Sequence, residues 1–86
     1  MYSVKFSKTV LKSFKRLDRK IQALALKALE RLKENPKIGV PLTGNLKGFW
    51  KLRFSRYRII YQLENRKLII IVFDIGHRKD IYKNRF

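Results

Sequence analysis

The sequence predicts an α+β domain, two amphipathic helices laid on one sheet. Three observations carry this: a change of hydrophobic period along the chain, a length that allows a single core, and turn residues between the periodic stretches. Apolar residues recur at helical spacing between Lys8 and Leu32, and at alternate positions before and after. The chain of 86 residues is expected to form one domain, 1–86, burying roughly 60–65% of the surface its unfolded form exposes. The expected order is an N-terminal strand, a two-helix hairpin and a three-stranded antiparallel meander, forming one sheet with the helices packed on it.

Residues 2–6 alternate, with Tyr2, Val4 and Phe6 on one side, and read as the first strand. Ser7 is a suitable N-cap for a short helix over 8–17, whose Val10, Leu11, Phe14 and Leu17 oppose Lys8, Lys12, Lys15 and Arg16. Asp18 is a second candidate cap, followed by the stripe Ile21, Leu24, Ala25, Ala28, Leu29 and Leu32, which Asn35 and Pro36 end. Residues 37–48 hold Gly39, Pro41, Gly44 and Gly48 and read as a loop returning the chain to the sheet.

The stretch 49–63 is two alternating segments. Trp50, Leu52 and Phe54 point one way, while Lys51, Arg53 and Ser55 point the other; Tyr57, Ile59, Tyr61 and Leu63 repeat the apolar side, with Arg58, Ile60 and Gln62 opposite. A hairpin tip at Ser55 and Arg56 puts Arg53 directly across from Arg58, with Lys51 one step along the same face. Like charges in that position cost stability, so a cationic cluster there implies an anionic partner. Asn65, best able to take a left-handed conformation, marks the next turn, and the β-branched run 67–75 reads as a central strand covered on both faces. Gly76 is expected to break that run, leaving 77–86 as a turn or short edge.

Twenty-two Lys and Arg against six Asp and Glu give a formal net charge of +16, which implies nucleic acid, a ribosomal surface or an acidic protein as partner. The absence of cysteine excludes disulfides, cysteine nucleophiles and thiolate metal sites, and a single histidine argues against a dedicated metal centre. No secretory leader or bilayer-spanning apolar run is visible, so the expectation is a cytoplasmic protein without a membrane partner. On residues alone, this is a small basic domain that binds a polyanion.

The order of elements, the segments Trp50-Lys51-Leu52-Arg53 and Tyr57-Arg58-Ile59-Ile60-Tyr61, and the ending Gly76-His77-Arg78-Lys79-Asp80-Ile81-Tyr82 resemble the RelE/ParE superfamily of toxins from toxin–antitoxin pairs. The likeness extends over nearly the whole chain. RelE-type members cut mRNA in the ribosomal A site, by attack of a ribose 2′-hydroxyl on the adjacent phosphate that leaves a cyclic phosphate. The resemblance implies that activity here, with no cofactor, and a RelB-like antitoxin carrying an acidic amphipathic segment, alongside ribosome and mRNA, as partners. It matches Lys51 and Arg53 to two basic strand positions and Arg58 to the phosphate-binding arginine. Arg78 matches the arginine near the leaving oxygen, and Tyr82 the aromatic that stacks on a base. Lys47, Arg56, His77 and Lys79 are the accompanying RNA-binding candidates.

Protonation chemistry divides the roles. Arginine keeps its charge, so Arg53 and Arg58 suit clamps for a phosphorane, whereas a lysine beside other cations releases its proton more readily, making Lys51 the candidate general base. Arg78 would stabilise the leaving oxygen, with a protonated His77 as the other candidate donor. Tyr82 either stacks on a base or packs on the sheet. Tyr57 and Tyr61 are expected in the core, and Asp74 is expected to pair with an arginine. Arg53 stands where the best-known bacterial version has a second lysine, removing one candidate base. Two alternatives share the fold or the charge: a ParE-like gyrase inhibitor that acts by binding, and a non-enzymatic RNA-binding protein.

Overall fold

Strand β1 (Ser3–Phe6) leads into helices α1 (Lys8–Arg16) and α2 (Arg19–Glu34), followed by strands β2 (Val40–Pro41), β3 (Trp50–Phe54), β4 (Tyr57–Glu64) and β5 (Ile69–His77). These come from a computed structural model that describes residues 1–77. Arg78, Lys79 and Tyr82, with the expected terminal turn, lie outside the described residues. Ser7 caps α1 by accepting a 3.1 Å hydrogen bond from the Val10 N–H. Asp18 sits at the N-cap of α2 but makes no side-chain capping bond. Gln22 does unexpected work for the other helix. Its Nε2 donates to the carbonyls of Phe14 at 3.1 Å, which also accepts from the Leu17 N–H, and of Leu17 at 3.0 Å, adding a partner at the end of α1.

The strands form one sheet in the order β1-β5-β4-β3-β2. Helices cover one face, where Val10, Ala25, Ala28, Leu29 and Leu32 pack with Leu52, Phe54, Ile59, Tyr61, Ile70, Val72 and Ile75. Leu24, placed in the α2 stripe by its spacing, is instead 40% exposed.

Four further departures from the expected fold have physical causes. The sheet is mixed, because β1 joins β5 in parallel, with Val4 opposite Ile70 and Phe6 opposite Val72. The loop 37–48 contributes the short fifth strand β2, Val40 pairing with Lys51 and Pro41 with Trp50. The β4–β5 turn takes its left-handed residue at Leu68 (φ 55°) rather than at Asn65, whose side-chain oxygen accepts from the Tyr2 hydroxyl at 2.9 Å. Finally, β5 does not end at Gly76 and is not evenly buried. It runs through Gly76 to His77, and its helix-side residues are buried while Ile69, Ile71 and Phe73 are only half-buried. A bulge shifts the register, so that Ile60 faces Asp74 but Tyr61 faces Val72, leaving Phe73 as the extra residue. That insertion is why Val72 and Ile75, three apart, both face the helices.

Tyr61 ties the loop to the sheet. Its ring is fully buried and stacks on Trp50, and its hydroxyl donates to the Pro36 carbonyl at 2.8 Å. Gly39 is needed there for space: its φ is an ordinary −76°, but a Cβ would overlap the Tyr61 hydroxyl and come within 2.6 Å of the Lys51 carbonyl oxygen. Burial pushes the Tyr61 hydroxyl up from 10.0 to about 12, against the opposing pull of the Gly39 backbone hydrogen bond.

Three outcomes follow for stability. Ser7→Ala should cost about 1 kcal/mol by urea denaturation and Asp18→Ala less, since only Ser7 makes a capping bond; Gly39→Ala should cost ~1–3 kcal/mol through overpacking. Because the folded value of Tyr61 lies above the unfolded one, its contribution is intact below pH 10 and lost as pH rises through about 12. Denaturation across that range should show a component of the loss that Tyr61→Phe lacks.

Candidate nucleic-acid interface on the far face of the sheet

The candidate site lies on the sheet face turned away from the helices. A two-residue connection, Ser55 and Arg56, joins β3 to β4, with Ser55 at φ 53° as a tight hairpin's first residue requires. The resulting register puts Arg53 directly opposite Arg58 and Lys51 opposite Ile60. Residues paired in this way share a face, so Lys51, Arg53 and Arg58 form one cationic group, as the alternation predicts.

The three cations sit in different surroundings. Arg53 is exposed, Lys51 is half-buried, and Arg58 is only 5% exposed. Lys51 stands in a row of direct partners running Val40, Lys51, Ile60, Asp74 across four strands, with an apolar side chain on each side of it. The next row runs Arg53, Arg58, Gly76. Gly76 therefore leaves the position beside Arg58 without a side chain, a role the sequence alone does not disclose.

Acidic residues are mostly elsewhere. Asp18, Glu30 and Glu34 belong to the helical layer, where Glu30 pairs with Lys33 at 3.1 Å, and Glu64 ends β4 far from Arg58. Among the described residues, Asp74 is the carboxylate set among these cations. The bulge at Phe73 brings it there, and period-two reading of an unbroken apolar run gives no sign of it. The bulge also lets Phe73 meet Phe49 edge-on at 5.2 Å, an aromatic pair absent from the sequence reading.

The remaining candidates are more dispersed. Arg56 is exposed at the hairpin tip, and exposed Lys47 follows a 3₁₀ turn, Gly44–Leu46, two residues before Phe49. His77 is directly opposite Tyr57, and the rings meet edge-on at 5.5 Å. That pairing puts His77 on the helix side of the sheet, away from the face of Arg58. Among the described residues no group of three His, Cys, Asp or Glu side chains is placed to hold a metal ion, and no helix is long and apolar enough to cross a membrane.

Chemically, the far face offers two planar guanidinium forks and one ammonium, a set suited to a tetrahedral or pentacoordinate phosphorus bearing several oxygens. The proteins that this chain resembles are toxins. A family model described as the ParE toxin of the type II toxin–antitoxin system parDE matches residues 4–82. A protein of Escherichia coli described as RelE-like toxin is 36% identical over 85 residues, covering 94% of this chain and 90% of its own. The mRNA interferase toxin RelE of Escherichia coli K12 is 28% identical over 80 residues, covering 91% of this chain and 84% of the relative. Among solved structures, the toxin–antitoxin complex RelBE2 of Mycobacterium tuberculosis superposes with a TM-score of 0.83 at 26% identity, covering 90% of this chain and 98% of that one. The match of a family model to nearly the whole length, on a sheet that carries its cations where the motifs put them, assigns this chain to the ParE toxin family of type II toxin–antitoxin systems, as a RelE-like member of the RelE/ParE superfamily.

Proposed function

We propose that this toxin is a ribosome-dependent endoribonuclease that cuts mRNA in the A site. The observation that carries the reading is the cross-strand pair Arg53 and Arg58 with Lys51 one step along the same face. In the proposed reaction the 2′-hydroxyl oxygen attacks the adjacent phosphorus, its proton passes to the neutral amine of Lys51, and the bond from phosphorus to the 5′-oxygen breaks as that oxygen takes a proton from water. The products are a 2′,3′-cyclic phosphate and a 5′-hydroxyl. Arg53 and Arg58 hold the extra negative charge of the phosphorane, a task for groups that stay protonated throughout. Arg78 is proposed at the leaving oxygen and Tyr82 at a base, both by the resemblance of the motif, while Lys47, Arg56 and Lys79 serve as backbone contacts. His77 is a weaker candidate donor, since Tyr57 holds it on the other side of the sheet.

A cognate antitoxin is proposed as the second partner. The RelBE2 structure, a toxin–antitoxin complex of similar fold, supports such a partner; the antitoxin's acidic segment would neutralise the far face. The ParE description of the matching family favours a second reading, inhibition of DNA gyrase by binding alone. A supercoiling assay with purified gyrase separates the two.

Arg58→Ala should lower cleavage of ribosome-bound message ~10²–10³-fold, mapped by primer extension. Arg53→Lys, which keeps the charge and loses the fork, should cost less than Arg53→Ala. Cutting at the wild-type rate by Arg58→Ala would remove the assignment.

A further inference from the structure

Strand β2 is an improbable wall. It has two residues, Val40 and Pro41, at the edge of the sheet, and Pro41 has no N–H to give to a ladder. Yet it supplies Val40, the direct partner of Lys51 on one side, as Ile60 is on the other. What holds β2 in register is not its own pairing alone. The Tyr61 hydroxyl, buried below the sheet, grips the Pro36 carbonyl, and residue 39 is a glycine lying against both that hydroxyl and the Lys51 carbonyl oxygen.

We propose that Tyr61 is a positioning residue for Lys51: its hydroxyl fixes residues 36–39, which seats Val40 beside Lys51 and sets the direction and hydration of its side-chain nitrogen. Tyr61 does not touch the far face, because it alternates with Ile60 and lies on the helix side. Its effect on the chemistry passes through the loop and through β2. The proposal rests on the nuclease reading, in which Lys51 takes the proton.

The test is a double-mutant cycle on ribosome-bound message, run below the melting temperature of every variant. At saturating ribosomes Tyr61→Phe, which keeps the ring and its stack on Trp50, should lower kcat about 10- to 100-fold with KM unchanged. Lys51→Ala combined with Tyr61→Phe should be no slower than Lys51→Ala alone, since a residue that acts through Lys51 has nothing left to position. Losses that multiply, or a Tyr61→Phe protein with the wild-type kcat, would overturn the proposal.

A second measurement does not need cleavage. Acetylation by an N-hydroxysuccinimide ester, mapped by peptide mass, should become several-fold faster at Lys51 in Tyr61→Phe while exposed Lys47 and Lys67 keep their rates. Equal labelling of Lys51 in both proteins would overturn the positioning role. If the wild-type protein cuts no message, the nuclease reading fails by itself, and the labelling still decides whether Tyr61 governs the setting of Lys51.

Discussion

A strand has two faces, and β4 is committed on both. Ile59 and Tyr61 are fully buried against the helices, while Arg58 and Ile60 lie on the opposite side. A slip of one residue against either neighbour would exchange these sets, so the register of β4 underlies both the core and the cationic group. The magnitudes show which side dictates it. Burying two large side chains contributes ~1.5–3 kcal/mol each, whereas a like-charged pair across strands costs some tenths to about 1 kcal/mol. On that comparison the core dictates the register, and Arg53 and Arg58 are held in opposition by it.

The bulge in β5 extends the same logic. Without an extra residue at Phe73, a regular strand could not turn both Val72 and Ile75 toward the helices. With it, Asp74 and Gly76 arrive on the far face, in the rows of Lys51 and Arg58. Bulges often sit beside active sites because they re-aim side chains without breaking the sheet. Here the irregularity serves the core and shapes the cationic face at once.

Much of this was legible in the residues. Alternation through 49–63 and a two-residue tip are enough to derive the pairing of Arg53 with Arg58, and Ser7 announces its cap. The missing parts share a reason: they depend on partners distant in the chain. The direction of β1 beside β5 leaves no mark in a four-residue strand. A uniformly apolar run hides its own bulge, since every register looks equally buried. Tyr61 reads correctly as core, but the worth of its hydroxyl depends on Pro36 and Gly39, which are visible only once the loop has folded back. The burial of Arg58, only 5% exposed, is likewise hidden in the sequence, because burial of a charge is decided by its surroundings and not by its strand.

The parallel pairing of β1 with β5 also bears on the order in which the molecule can be assembled. Ser3 finds its partner in Ile69, and the Ser3 N–H reaches the Leu68 carbonyl at 2.9 Å, so the first strand to be synthesised waits for the last described one. The helices can form early, as local structure does, but the sheet closes only through contacts of high sequence separation, which are slow to form. Emerging from a ribosome, the chain would carry its cations on an unfinished surface until β5 had been made. Topology alone thus makes completion of the sheet wait on β5.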